Sequence, residues 1–105
     1  MLLNELTGAA LDWAVAKCEG IGLGSRGFVV YYHEGEPAMW QPSSDWAQGG
    51  PIIERELIAI HGDWKATLGE GTYEGTTPLI AAMRCYVASK LGDEVEIPNE
   101  LTKGE

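Results

Sequence analysis

The stretch Thr77-Pro78-Leu79-Ile80-Ala81-Ala82-Met83-Arg84-Cys85-Tyr86-Val87-Ala88-Ser89-Lys90-Leu91-Gly92 decides how the chain is read. Thr77 offers a side-chain oxygen to the unpaired N–H groups of a helix start. Pro78 then takes the first helical position, where a missing N–H is harmless. Ile80, Met83, Val87 and Leu91 recur at helical spacing, Lys90 lies in the last turn, and Gly92 ends the element. A helix with such a stripe must bury it against something, and the preceding sequence has to supply that surface.

Leu57–His61 and Asp63–Leu68 lie on either side of Gly62 and read as strands, while Gly69–Gly75, with three glycines, reads as a polar loop. Further back, aromatic and β-branched Phe28–His33 predicts a strand, and Glu34-Gly35-Glu36-Pro37 a turn. Ala38–Gln41 returns as a short partner strand. Asp45 followed by Gln48 fits a capping box, and Gly49-Gly50-Pro51 predicts that the helix from about 45 to 56 is kinked or divided. At the start, Thr7 fits a cap and Leu6 a staple against Leu11. Ala10, Leu11, Ala14, Val15 and Cys18 keep helical spacing up to Gly20. Gly20–Gly27 reads as a flexible loop.

The expected order is α-β-β-α-β-β-α. Short connections require antiparallel pairing, so the fold class is α+β: a small antiparallel sheet of about four strands packed with three helices. At 105 residues the chain is expected to be one domain, 1–105, with an acidic tail over 93–105 that Val95, Ile97 and Leu101 can pin to the core.

The net charge is −9, from 16 acidic and 7 basic side chains. Such a surface repels phosphate backbones and anionic lipids, which argues against direct nucleic-acid or membrane binding and suits a basic partner surface. The N-terminal residues lack the basic and long apolar regions of a secretory signal, and no apolar run is long enough to span a bilayer. Cys18 and Cys85 fall on apolar helix faces as reduced thiols, so the expected compartment is the cytoplasm.

Chemistry-bearing residues are scattered. His33, His61, Cys18 and Cys85 have no metal-ligand spacing, so no metal or cofactor is expected. Cys85 lies in mid-helix beside Arg84 rather than at a helix N-terminus, which favours burial over nucleophilic catalysis. Asp45, Glu54 and Glu56 share a segment but define no acid–base pair, and no catalytic residue is assigned. Gly22, Gly24 and Gly27 meet the GxGxxG spacing, but they follow a helix and precede a strand, the reverse of a dinucleotide site. One small-ligand arrangement stands out: Trp40 and Trp46 flank Ser43, Ser44 and Asp45 at a helix start, with Arg84 as a further candidate. The bland alternative is a packed corner, since large aromatics are core material by default.

Three segments carry a resemblance: Glu5–Lys17, Pro42–Glu54 and Thr77–Glu94. Together they resemble the NinX family of phage and prophage accessory proteins, in matching order over most of the chain. Where that family usually reads Ser-Thr-Asp-Trp, this chain has Ser43-Ser44-Asp45-Trp46, which keeps a hydroxyl. The Ser-Asp loop before a helix is also similar to small phage proteins built as α-β-α sandwiches. The resemblance implies a phage accessory gene product in the host bacterial cytoplasm, and it implies no catalytic residues. Three roles follow as expectations: a non-enzymatic binder of a host component, a protein that sequesters a small nucleotide-derived ligand, or a small hydrolase. A homodimer is compatible with exposed aromatics and a free sheet edge.

Overall fold

A computed structural model describes residues 2–21, 30–33, 36–62 and 64–97. After a 3-10 turn over Leu3–Glu5, the elements are α1 (Gly8–Glu19), β1 (Val30–His33), β2 (Glu36–Met39) and α2 (Trp46–Glu56). Then come β3 (Ala59–His61), β4 (Lys65–Leu68), β5 (Gly71–Glu74) and α3 (Pro78–Leu91). The class is α+β with three helices, as expected. The strand arrangement differs: β1 and β2 form a hairpin by themselves, and the sheet proper is three-stranded, antiparallel, in the order β3-β4-β5. The third strand comes from the segment read as a loop. Gly71–Glu74 pairs with Leu68–Lys65 because a tight turn over Gly69 and Glu70 reverses the chain directly. The proposed turn residues Glu36 and Pro37 belong to β2. Residues 22–29 of the glycine-rich loop and the strand start, Glu34-Gly35, and the tail beyond Ile97 lie outside the described residues.

α3 begins and ends as its sequence dictates. Thr77 Oγ1 accepts from Ile80 N at 3.1 Å, Pro78 opens the helix, and Gly92 with φ +88° takes the chain off it. Its burial is broader than a stripe, since Leu79 and every residue from Ala81 to Val87 are buried, Arg84 included. The sheet packs on α3, with Ala66 fully buried, and α1, α2 and the N-terminal 3-10 turn pack around it. Val95 is buried and Ile97 packs on the same cluster, so the start of the tail is held. Leu3 N donates to Asp93 O at 2.9 Å, tying the first turn to the segment after α3.

The starts of α1 and α2 and the middle of α2 differ from expectation. Thr7 sits at the N-cap of α1 but its hydroxyl makes no cap hydrogen bond. Asp45 does cap α2, accepting from Ala47 N at 2.9 Å, but Gln48 forms no capping box. Its side chain reaches further back, accepting from Gln41 N at 2.6 Å and donating to Met39 O at 2.8 Å, so it fastens the end of β2 to α2. Pro51 lies inside α2, which runs as one helix. Asp45's cap and Gln48's stitch hold the start of that helix despite the hydrogen bond Pro51 lacks.

The C-terminal ends of α1 and α2 meet the middle of α3 in a polar clasp. Arg55 of α2 donates to both carboxylate oxygens of Glu19 on α1, at 3.1 and 2.6 Å, and Tyr86 of α3 donates its hydroxyl to the same carboxylate. Burial alone would push the Glu19 carboxyl up, but the Arg55 and Tyr86 hydrogen bonds outweigh it and hold the group below its ordinary value. Among the described residues, no helix is long and apolar enough to cross a membrane.

Gly49 shows how tightly α2 is set. A Cβ there would stand 2.5 Å from Pro42 O and 2.6 Å from Leu79 Cδ1. Gly49→Ala is therefore expected to destabilise the protein by about 1–3 kcal/mol through overpacking, lowering the urea midpoint. Gly50→Ala, where the nearest atom is Trp46 Cε3 at 4.0 Å, is the matched control and should not be destabilising.

Candidate functional site

The loop from Trp40 to Trp46 is a fastened corner. α1 presents Asp12 to it from a buried position: Trp40 Nε1 donates to Asp12 O at 3.0 Å, and Ser43 N donates to Asp12 Oδ1 at 2.8 Å. Trp40 and Ser43 are both buried, so neither offers an open stacking face or a free backbone donor. Ser44 Oγ reaches Gln41 O at 3.4 Å, and Asp45 is occupied as the α2 cap. Trp46 alone of the two tryptophans stands out, 54% exposed on the first turn of α2. The corner thus brings together five of the six sequence-derived candidates, with Trp40 and Ser43 packed inward and Ser44 and Trp46 turned outward.

Arg84 is elsewhere. From the middle of α3 its Nε donates to Leu6 O at 3.0 Å and its Nη1 to Glu74 O at 2.6 Å. It lines a concavity of about 550 Å³ together with Leu2, Leu3, Asn4, Thr72, Tyr73, Glu74 and Asp93. None of the corner residues lines that space. The sequence could not separate the two places, because only the tertiary fold sets Arg84 against β5 and the N-terminal turn.

The thiols are unsuited to nucleophilic work. Cys85 is buried and donates its S–H to Ala66 O at 2.8 Å, and burial raises its thiol. Burial and then the neighbouring Glu19 push Cys18 up to about 11. His61 Nε2 shares a hydrogen bond with Thr67 Oγ1 on the exposed face of the sheet. Among the described residues, no group of three metal-ligating side chains converges.

One feature escaped the sequence reading entirely. Leu57 (φ +58°) and Trp64 (φ +60°) are the two non-glycine residues with left-handed backbone among those described. Leu57 follows α2 as its C-cap, and Trp64 directly precedes Lys65 of β4, which pairs with His61 of β3. Glycine or asparagine is favoured at both kinds of position, because an L side chain there costs about 1–2 kcal/mol. Both side chains are nevertheless large, apolar and outward, at 84% and 53% exposure, and Ile60 between them is also exposed. β3 is an edge strand of the sheet. No composition signal marks such positions, since the left-handed backbone becomes visible only once helix end and hairpin register are fixed.

Comparison with protein families finds a match over residues 3–90 to a family model described as Bacteriophage P22, NinX. That range contains the whole Trp40–Trp46 corner, Leu57, Trp64 and Arg84. A comparison with curated proteins gave no match.

Asp12 makes the corner testable. Burial pushes its carboxyl above the ordinary 3.8, more than the two Ser43 hydrogen bonds pull it down. The folded protein therefore holds this proton more tightly than the unfolded chain does. The stability it adds is full below pH 3.8 and is lost as pH rises through the raised value. Asp12→Asn keeps an oxygen for Ser43 N and removes the buried charge. It should be at least as stable as the parent at pH 7, with the difference closing in acid. Asp12→Ala should lose about 1–3 kcal/mol across the range, because Ser43 N is left unpaired. Urea midpoints from pH 3 to pH 7 check both.

Proposed function

This chain belongs to the bacteriophage P22 NinX family, and on that premise we propose that it acts without catalysis, binding a host protein during infection. Family membership makes it a phage accessory protein. The binding role rests on one observation: two large apolar side chains, Leu57 and Trp64, are held outward at glycine-preferring backbone positions beside the edge strand β3. In the free protein each carries a backbone cost and leaves apolar surface in water. A partner that buries them supplies the missing compensation, and an edge strand offers backbone donors and acceptors for a partner strand.

The partner's chemistry follows from charge. Among the described cations, Lys17 lies over the Trp13 ring, Arg55, Lys65 and Lys90 are in ion pairs, and Arg84 is buried on carbonyls. The outward field of a chain with net charge −9 is then set by its carboxylates, which favours a host protein with apolar contacts in a basic surround. The same field disfavours nucleic acid and anionic membranes. The compartment that goes with this reading is the host cytoplasm. A ligand role for the Trp40–Trp46 corner has weaker support, since Trp40 and Ser43 already direct donors to Asp12.

The test compares the parent with Leu57→Gly, Trp64→Gly and the double variant, each used as bait in host lysate and then with the purified captured protein. The variants should fold with equal or higher urea midpoints, because glycine relieves the left-handed backbone. Their affinity for the captured protein should fall at least tenfold, with a parent complex that weakens as salt rises. Hydrogen-exchange protection in the complex should map to residues 57–64. Unchanged affinity in the double variant, protection elsewhere, or capture only of further copies of this chain would overturn the proposal.

A further inference from the structure

At the sheet's other edge, beside β5, lies a second site of different character. We propose that the concavity lined by Arg84 binds a small zwitterionic molecule, whose carboxylate or phosphate meets Arg84 and whose ammonium meets Asp93.

Arg84 is 7% exposed, and a guanidinium keeps its charge even when burial opposes it. A buried charge is costly unless a counter-charge or good hydrogen bonds compensate it. Here Nε and Nη1 reach only the backbone carbonyls of Leu6 and Glu74. None of the ion pairs among the described residues includes Arg84. Nη2 has no partner among the described residues, yet no sealed side-chain nitrogen or oxygen is left unsatisfied. Nη2 therefore keeps contact with open space, and the space that Arg84 lines is the concavity. The two carbonyls fix the plane of the guanidinium and leave a rigid donor aimed by the fold, the arrangement that suits a planar anion.

Size and walls narrow the ligand. About 550 Å³ is within the range of small-molecule pockets. Leu2, Leu3 and half-buried Tyr73 give apolar wall, and Asn4 and Thr72 give polar groups beside it. Glu74 and Asp93 also line the space. The Glu74 carboxylate is 3.7 Å from Lys65 Nζ, whereas Asp93 has no ion pair among the described residues. A simple anion would be drawn to Arg84 and repelled by these two carboxylates and by the net charge of −9. A molecule carrying both signs matches the site as it stands. This site and the β3 edge are independent, and either can fail without the other.

The experiment is a titration of the isotope-labelled full chain, followed by NMR at the Arg84 Nε–H and the amides of Asn4, Thr72 and Tyr73. O-Phosphoethanolamine and glycylglycine are the zwitterionic probes. Inorganic phosphate, acetate and ethylammonium carry one sign each. Saturable shifts at those positions are expected with at least one zwitterion, and several-fold weaker binding with each single-sign probe. Which zwitterion binds identifies the anion as phosphate or carboxylate. Asp93→Asn, an exposed change that leaves the fold intact, should weaken the zwitterion several-fold and not weaken inorganic phosphate. Trp46→Ala should bind like the parent. No saturable shift with either zwitterion, equal zwitterion affinity in Asp93→Asn, or shifts centred on Trp46 would overturn the proposal.

Discussion

The structure depends on the burial of α3 on nearly every side. A helix in a small α+β domain normally shows one face to the core and one to water. In α3 the run Ala81–Val87 is buried without interruption, and the sheet, both other helices and the N-terminal turn all lean on it. That arrangement forces glycine where the chain comes closest to α3, as at Gly49 against Leu79 and Gly75 against Ala81. It also leaves Arg84 in the middle of the core, where its charge has to be met by whatever surrounds it. Leu6 O and Glu74 O belong to the segment before α1 and to β5, and the one guanidinium joins both to this helix.

The sequence states the limits of α3 clearly, because capping is local: Thr77, Pro78 and Gly92 act within one turn of themselves. It overstates amphipathicity, because a stripe over Ile80, Met83, Val87 and Leu91 is what a half-buried helix shows, and Ala81, Ala82 and Cys85 are too small to announce burial. β5 was hidden for a related reason. Gly71-Thr72-Tyr73-Glu74 has loop composition, and its pairing with β4 depends on a turn over Gly69 and Glu70 whose geometry composition does not encode. Gln48 misled in the other direction. Its spacing from Asp45 matches a capping box, yet the nearness of β2 gave its amide better partners.

The candidate sites were legible to very different degrees. That Trp40, Ser43, Ser44, Asp45 and Trp46 form one corner follows from their adjacency. That Asp12 anchors it does not, since a carboxylate on an amphipathic helix reads as solvated until the fold turns it inward. Leu57 and Trp64 look like ordinary apolar residues in a strand-rich stretch. Their meaning lies in a sign of φ, which sequence composition does not carry.

Asp12 and Arg84 are opposite charges in one small core, and the fold treats them differently. Asp12 is matched by a dedicated donor, Ser43 N, and Trp40 Nε1 donates to its backbone carbonyl. Arg84 is given acceptors for part of its fork and open space for the rest. If the purpose of Arg84 were only to join β5 and the N-terminal turn to α3, a shorter neutral donor would serve with less desolvation. A guanidinium held by two carbonyls is planar, permanently charged and oriented. Those properties do little for packing and suit recognition of an anion that approaches along the remaining edge. The same contrast holds at the opposite edge of the sheet, where glycine would satisfy the backbone at Leu57 and Trp64. In both places the local residue is costlier than the fold requires: Leu57 and Trp64 stand outward in water, and buried Arg84 borders a concavity that the described residues leave open.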